Sequence, residues 1–283
     1  MLPELGWMPR LAAGLLALGL LVLFVARAIR KDRREYARFR RYRSTTRRQA
    51  MMRRWLIESA ALFGGSSVIV LLLTWPLVGP LLAATQALPP IAWLRDALAG
   101  GLGIVMLIGA GLGVALLTLV GVRSARREGG IVMVGDIAAL LPRNRPELRW
   151  GAALSVNAGV VEEALFRLAL PALLVVVTGE PLSAFALAAL VFGALHAYQG
   201  WVGVLATGVV GLLFTALYVV SGSIGLAMLV HALFDLRTLV VIPVAVYRVH
   251  EVPGTVLFPK PLAVPAASLA AEPAAPHDGT SAS

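Results

Sequence analysis

Six ionisable side chains lie within the last four apolar segments of the sequence. They are, in chain order, Glu162, Glu163, Arg167, His196, His231 and Asp235. An ionisable group at membrane depth costs about 2.5–3.5 kcal/mol on insertion scales, so groups of this kind are retained mainly where they serve a function. Carboxylates and imidazoles are also the side chains that most often transfer protons in general acid–base catalysis. The set therefore indicates chemistry inside a membrane.

The spacings place these groups on shared helix faces. Glu163 and Arg167 are four residues apart, as are His231 and Asp235, so each pair can lie on one face of a helix. Glu162 is rotated by about 100° from Glu163, because an α-helix has 3.6 residues per turn. The two glutamates therefore need not share a partner. A rise of about 1.5 Å per residue, counted from the outer turns, brings the groups of three spans to a similar depth.

A carboxylate beside imidazoles can activate water. The carboxylate acts as a general base, and an imidazole orients the water or donates a proton to the leaving group. Histidine can also donate a hydrogen bond to the negative charge that develops on a carbonyl oxygen. The sequence contains no cysteine and no serine in an obvious nucleophile motif. Direct attack by an activated water, that is hydrolysis, is the reaction we predict.

The composition predicts an all-α fold, a polytopic bundle of about seven transmembrane helices. Hydrophobic residues make up 59% of the 283 residues and charged residues only 14%, against about 45–50% and 25% in soluble domains. A span needs about 20 apolar residues. The candidate spans are Leu11–Ile29, Leu56–Trp75, Ala97–Val122, Gly151–Thr178, Leu182–Tyr198, Trp201–Val220 and Ile224–Tyr247. The prolines expected to mark the outer loop after the second span are Pro76, Pro80, Pro89 and Pro90.

The net charge of +10 is concentrated in one segment, since residues 30–54 hold 12 of the 25 basic residues. The segment lies between two apolar stretches, where the positive-inside rule predicts a cytoplasmic loop. Anionic lipid headgroups are the partner we expect for it, and we expect no nucleic acid, because no accompanying domain is present. The basic clusters together predict a multi-pass protein of the cell (inner) membrane, with the N-terminus outside and the C-terminus in the cytoplasm.

The chain is expected to comprise three regions. Residues 1–127 would form an N-terminal membrane region of three spans, and residues 128–250 a catalytic bundle of four spans. Residues 251–283 are rich in proline, alanine and serine and would form a disordered tail. A short interfacial helix is expected within residues 134–141.

Three motifs of the second region resemble those of one protein family. They are V-V-E-E-A-L-F-R (160–167), V-F-G-A-L-H-A (191–197) and L-V-H-A-L-F-D-L (229–236). Their order and spacing are similar to those of the CAAX-protease and bacteriocin-processing (CPBP) family, which includes the type II CAAX prenyl endopeptidases. The resemblance covers about residues 130–247. It implies an intramembrane endopeptidase that cleaves a membrane-embedded or lipidated peptide or protein.

The resemblance also implies a role for each motif residue. Glu162 would be the general base, and His196 would help to hold the water. Glu163 and Arg167 would order the site through an ion pair.

The third motif would stabilise the oxyanion through His231 and Asp235. Asp235 departs from the pattern, because prenyl endopeptidases usually carry asparagine at this position. An ionised aspartate cannot donate a hydrogen bond, so Asp235 would have to be protonated, to orient His231 or to bind a metal.

Family members are labelled metalloproteases in some cases and metal-free in others. Glutamate, histidine and aspartate are acceptable zinc ligands, but the H-E-x-x-H spacing of zinc metalloproteases is absent. We expect no obligatory metal and keep zinc as the alternative. Its candidate ligands are Glu162, His196, His231 and Asp235.

Two other functions fit the same residues. A non-catalytic family member, acting as a scaffold or immunity protein, would keep the motifs for structural reasons. A proton- or ion-coupled transporter would use intramembrane carboxylates and histidines as a relay. A transporter commonly shows an internal repeat, and we find none in the sequence.

Overall fold

The computed structural model describes residues 6–128 and 137–252, and every regular element in these ranges is a helix. The α-helices are α1 (Trp7–Arg27), α2 (Arg33–Phe39), α3 (Thr45–Ser59), α4 (Gly65–Gln86), α5 (Pro89–Ala99), α6 (Gly101–Glu128), α7 (Arg145–Glu163), α8 (Leu170–Thr178), α9 (Pro181–Leu195), α10 (Gly200–Ser221), α11 (Ile224–Leu236) and α12 (Ile242–Tyr247). The π-helical segments that join some of them are Ala28–Asp32, Ala60–Gly64, Ala164–Ala169 and Arg237–Val241. The all-α prediction is confirmed.

Four helical rods in the described residues are long and apolar enough to cross a membrane. They are Trp7–Phe39, Thr45–Gln86, Ala197–Ser221 and Ile224–Tyr247. Large apolar side chains cover their outer surfaces, with Leu72 79% exposed and Leu18 57% exposed. An apolar surface of this extent is compatible with lipid rather than with water. The chain is a membrane protein, whereas the count of seven spans remains a prediction.

The outer loop expected after the second span does not begin at Pro76. Pro76 and Pro80 both lie inside α4, which continues to Gln86, and the next helix begins at Pro89. An interior proline costs a backbone hydrogen bond, but membrane helices tolerate prolines because neighbouring groups satisfy the freed backbone atoms. The prediction of a loop from Pro76 onward was therefore wrong.

The basic segment between the first two spans forms a helical hairpin, and we call residues 28–59 the basic hairpin; its cytoplasmic position stays a prediction. Only residues 40–44 between α2 and α3 are not helical. Glu58 offsets part of the positive charge, because its carboxylate accepts hydrogen bonds from Arg27 and Arg54, each at 2.8 Å. Ser44 caps α3 by accepting a hydrogen bond from the backbone N–H of Arg47 at 3.4 Å. Acidic partners and a cap thus allow a strongly basic sequence to be helical.

Two other predicted boundaries change. The third span was expected to run unbroken over Ala97–Val122, but the backbone is extended at Gly100 and separates α5 from α6. Of the interfacial helix expected within residues 134–141, residues 134–136 lie outside the described residues, and Ala138–Leu140 forms a single 3-10 turn. Most of the tail, residues 253–283, also lies outside them.

Helix α7 is the central element, because it packs against α11 on one side and against α3 on another. Gly159 permits the close approach to α11: a β-carbon at this position would lie 2.8 Å from the β-carbon of Ala232. The turn after α8 also depends on glycine, since Gly179 has a φ of 70°. The close contact between α7 and α11 brings the glutamate motif beside the third motif.

A buried ion pair joins the basic hairpin to the start of α7. The Arg48 Nε lies 3.1 and 3.0 Å from the two carboxylate oxygens of Glu147, and neither residue is exposed. Arg48 Nη2 donates to the carbonyl oxygens of Ala139 and Leu141, each at 3.1 Å. The Arg48 guanidinium also lies 4.1 Å from the centre of the Phe39 ring. These contacts fix the hairpin to the bundle.

We expect Arg48→Met to destabilise the protein by about 3–5 kcal/mol, because it leaves the Glu147 carboxylate buried without its cation. Thermal unfolding in detergent measures the loss. The double variant Arg48→Met, Glu147→Met removes both charges and should recover a large part of the stability. A double variant no more stable than the single one would contradict this account of the ion pair.

Candidate active site

The residues predicted to do chemistry line one cavity inside the bundle. Its volume is about 580 Å³, and its wall includes Glu162 from α7, His196 at the end of α9, and His231 and Asp235 from α11. Apolar and aromatic side chains form much of the remaining wall. Three elements that are far apart in the sequence thus present carboxylates and imidazoles to a common space.

Glu163 does not line this cavity but lies in the packed interior behind it. Its Oε2 is 3.1 Å from the Arg167 Nε, and its Oε1 is 2.8 Å from the His231 Nδ1. Neither Glu163 nor Arg167 has an exposed side chain. The Arg167 Nη2 donates a hydrogen bond of 3.0 Å to the carbonyl oxygen of Gly211. Glu163 is therefore the centre of a chain of contacts that links α7, α10 and α11.

Aromatic rings enclose these charges. The Arg167 guanidinium lies 4.8 Å from the centre of the Phe192 ring and 5.7 Å from that of Phe214. The His231 ring stacks on Phe214 with centroids 4.7 Å apart, and meets the edge of Phe192 at 6.0 Å. The rings exclude water from the ion pair, and cation–π contacts partly compensate for the lost hydration. Phe192 belongs to the second motif, so the motif supplies packing as well as a histidine.

The hydrogen bond of His196 determines which of its ring nitrogens can act. His196 Nδ1 lies 2.8 Å from the carbonyl oxygen of Phe192. A carbonyl oxygen only accepts, so Nδ1 carries the hydrogen and donates it. In the neutral ring, Nε2 then has a lone pair and accepts a hydrogen bond. His196 is therefore arranged to hold a water molecule by accepting one of its hydrogens.

His231 lies between two carboxylates. Its Nδ1 contacts Glu163, and its Nε2 is 3.8 Å from Asp235 Oδ2. The Asp235 side chain is 31% exposed, in contrast to the buried Glu163. In its protonated form, His231 can donate from Nε2 toward the cavity while Glu163 holds the other nitrogen.

Glu162 is the penultimate residue of α7, and its side chain lines the cavity. The helix changes directly after the glutamate pair, because Ala164–Ala169 has π-helical geometry. Such π-helical segments are frequent at functional sites. Adjacent residues of α7 are about 100° apart around the helix, so Glu162 faces the cavity while Glu163 faces Arg167.

The donor set does not fit a bound metal. Among the described residues, no three histidine, aspartate or glutamate side chains converge as metal ligands would. We derive no step through zinc from this arrangement.

The sequence motifs did not identify several other polar residues of the cavity wall. Asn157 Nδ2 donates to Ser59 Oγ at 2.6 Å, and the Tyr198 hydroxyl oxygen accepts from Gln199 Nε2 at 3.1 Å. Tyr198 and Gln199 belong to the short polar turn that follows His196. Their position beside a motif histidine was the signal that could have identified them.

Comparison with known families supports the predicted resemblance. Residues 144–237 match the family model described as type II CAAX prenyl endopeptidase Rce1-like. The matched segment contains all three motifs, so the resemblance predicted from them is confirmed. No curated protein and no solved structure matches the chain.

We expect Arg167→Met to lower the free energy of unfolding by about 3–5 kcal/mol, because the Glu163 carboxylate then stays buried without a cation. The matched control is Arg248→Met, which breaks an exposed pair with Glu251 whose contact distance is 2.7 Å. Exposed pairs contribute about 0–1 kcal/mol. Thermal unfolding of both variants in detergent should therefore separate them clearly, and equal losses would show that burial of the pair is unimportant.

Proposed function

We propose that this protein is an intramembrane endopeptidase that hydrolyses a peptide bond with a water activated by Glu162. The observation that carries the proposal is the cavity that Glu162 shares with His196 and His231 inside an apolar helix bundle. The match of residues 144–237 to an endopeptidase family supports the same class of reaction. No step requires a metal ion.

The reaction begins when a water molecule binds between Glu162 and His196. The His196 Nε2 accepts a hydrogen bond from one O–H of the water, which stays intact, and the Glu162 carboxylate removes the proton of the second O–H as the water oxygen bonds to the peptide carbonyl carbon. The carbonyl oxygen becomes an oxyanion. Its collapse breaks the carbon–nitrogen bond, and Glu162 returns the proton to the leaving amine. The products are a carboxylic acid, which then ionises, and an amine.

Glu163 and Arg167 act as positioning residues in this scheme. Glu163 holds the Nδ1 of His231, which fixes the direction in which Nε2 faces the cavity. Arg167 balances the charge of Glu163 and ties it to α10 through Gly211. Asp235 lies beside the His231 Nε2 and orients this nitrogen. Each of them acts through His231 rather than on the water.

The substrate we propose is a membrane-embedded or lipidated peptide or protein. The cavity lies within apolar helices, and its largely apolar wall suits a lipid chain or apolar side chains. The basic hairpin would face anionic headgroups at the cytoplasmic surface, where most of its arginines are exposed. The protein would reside in the inner membrane with its N-terminus outside.

Glu162→Gln keeps the shape of the side chain but removes the base. We expect hydrolysis to fall by about 10²–10⁴-fold, with no loss of thermal stability. The assay uses a fluorescence-quenched peptide with an S-farnesyl cysteine in a C-terminal CAAX sequence, and the same peptide without the lipid. Glu251→Gln, which changes an exposed glutamate outside the cavity, should retain full activity.

Three results bear on the proposal. Undiminished cleavage by folded Glu162→Gln would exclude Glu162 as the base. Cleavage of the unlipidated peptide at the same rate would exclude recognition of the lipid. No cleavage of any membrane peptide by folded wild-type protein would instead favour a non-catalytic member of the family.

The orientation can be tested directly, because the chain contains no cysteine. We expect Gly6→Cys to react with a membrane-impermeant maleimide in intact cells, and Arg43→Cys to react only after the membrane is opened. Both positions are exposed, so access to the reagent depends on the side of the membrane. The opposite labelling pattern would reverse the proposed topology.

A further inference from the structure

Hydrolysis of a peptide bond requires a group that donates a hydrogen bond to the oxyanion. Removing one such donor typically lowers kcat by about 10²–10³-fold. The inference below rests on the proposed function, because it asks which side chain of the same cavity could provide this donor. The question arises because the acidic side chains at the wall, Asp32, Glu162 and Asp235, only accept hydrogen bonds when they are ionised.

The two histidines of the cavity do not provide this hydrogen-bond donor in their neutral forms. The hydrogen of His196 Nδ1 is used by the Phe192 carbonyl, and its Nε2 accepts in the neutral ring. His231 can donate from Nε2 only in its protonated form, since Nδ1 faces Glu163. A neutral side chain that donates a hydrogen bond from the cavity wall could stabilise the oxyanion whether or not His231 is protonated.

Tyr198 has the position and the hydrogen-bonding pattern of such a donor. It follows His196 by two residues in the 3-10 turn Ala197–Gln199, and it lines the cavity together with Glu162 and Asp235. The turn therefore places the His196 ring and the Tyr198 phenol in the same wall of the cavity.

The hydrogen bond between Gln199 and Tyr198 does not use the hydrogen of the Tyr198 hydroxyl group. Its oxygen accepts a hydrogen bond from Gln199 Nε2 at 3.1 Å, and the Gln199 Oε1 in turn accepts from Thr207 Oγ1 at 3.4 Å. This arrangement fixes the phenol oxygen as an acceptor on one side, so its own O–H must point in another direction. A donor that also accepts a hydrogen bond is strengthened by it, because hydrogen bonds in a chain polarise one another.

The phenol ring of Tyr198 packs against two other rings. Its centroid lies 5.4 Å from that of Tyr36, in α2 of the basic hairpin, and 5.9 Å from that of His196. A donor fixed in this way needs little reorganisation as charge develops, which is the condition for effective stabilisation of an oxyanion. We propose that the Tyr198 hydroxyl donates a hydrogen bond to the oxyanion formed during hydrolysis, as a catalytic residue outside the three motifs.

The test is Tyr198→Phe, which removes only the hydroxyl oxygen and its hydrogen. We expect kcat for the farnesylated peptide to fall by about 10²-fold, with KM changed less than twofold and thermal stability retained. The matched control is Tyr218→Phe, a buried tyrosine that packs on Phe185 away from the cavity. Its activity should equal that of the wild type. A role in packing alone would lower stability rather than kcat.

A second measurement tests directly whether Tyr198 donates a hydrogen bond to a tetrahedral anion. A peptide phosphinate has a tetrahedral, negatively charged centre that resembles the oxyanion intermediate. We expect Tyr198→Phe to weaken phosphinate binding by the same factor as kcat/KM, while binding of the uncleaved peptide to a Glu162→Gln background is unchanged. Equal phosphinate affinity in wild type and Tyr198→Phe would overturn the inference.

These outcomes separate the two proposals. If Glu162→Gln abolishes cleavage and Tyr198→Phe does not lower kcat, the role of Tyr198 fails and the proposed function stands. If the wild type does not cleave the peptide, the proposed function fails, and phosphinate binding still decides whether Tyr198 contacts a tetrahedral anion. Weakened phosphinate binding in the control variant Tyr218→Phe would also overturn the inference, because the effect would then not belong to the cavity.

Discussion

The carboxylate of Glu163 is buried among apolar helices, and its negative charge must be compensated within them. Arg167 supplies the opposite charge from the same helical rod, and His231 supplies a hydrogen bond from α11. Removing an ionised carboxylate from water is costly unless its partners are in place. The relative position of α7 and α11 is therefore strongly restricted, and Gly159 provides the space for it.

This constraint explains why two adjacent glutamates have different surroundings. Glu163 is used entirely in holding its neighbours, and its side chain has no exposed surface. Glu162, one residue earlier and about 100° away around the helix, faces the cavity. A carboxylate that faces a cavity beside a rigid interior suits a general base, since the base must be positioned accurately and remain available.

Much of the site followed from local spacing. The i, i+4 relations correctly placed Glu163 beside Arg167 and His231 beside Asp235, because residues four apart in a helix are neighbours whatever the tertiary structure. The contact between Glu163 and His231 could not be derived in this way, since it joins residues 68 positions apart. Tyr198 was missed for a related reason: its place in the wall depends on a short turn rather than on a helical period.

The errors in the predicted fold also arise from contacts between residues that are distant in the sequence. Prolines are signals for loops in water, but Pro76 and Pro80 lie within a helix whose neighbours can satisfy the freed backbone groups. The basic hairpin was predicted only as a loop between two spans, and the sequence did not reveal that Glu58 would pair with Arg27 from another helix. In both cases, tertiary contacts that the local sequence does not show stabilise the helix.

The basic hairpin also connects the two halves of the chain. The family match covers residues 144–237, yet Tyr36, Trp55 and Ser59 of the hairpin form part of the cavity wall. The buried pair of Arg48 and Glu147 fixes the hairpin to α7, the helix that carries both glutamates. The proposed catalytic groups therefore come from the matched segment, whereas part of the cavity surface comes from outside it. Under the proposed function, changes in the hairpin would alter which substrates fit without altering the residues proposed to act on the water.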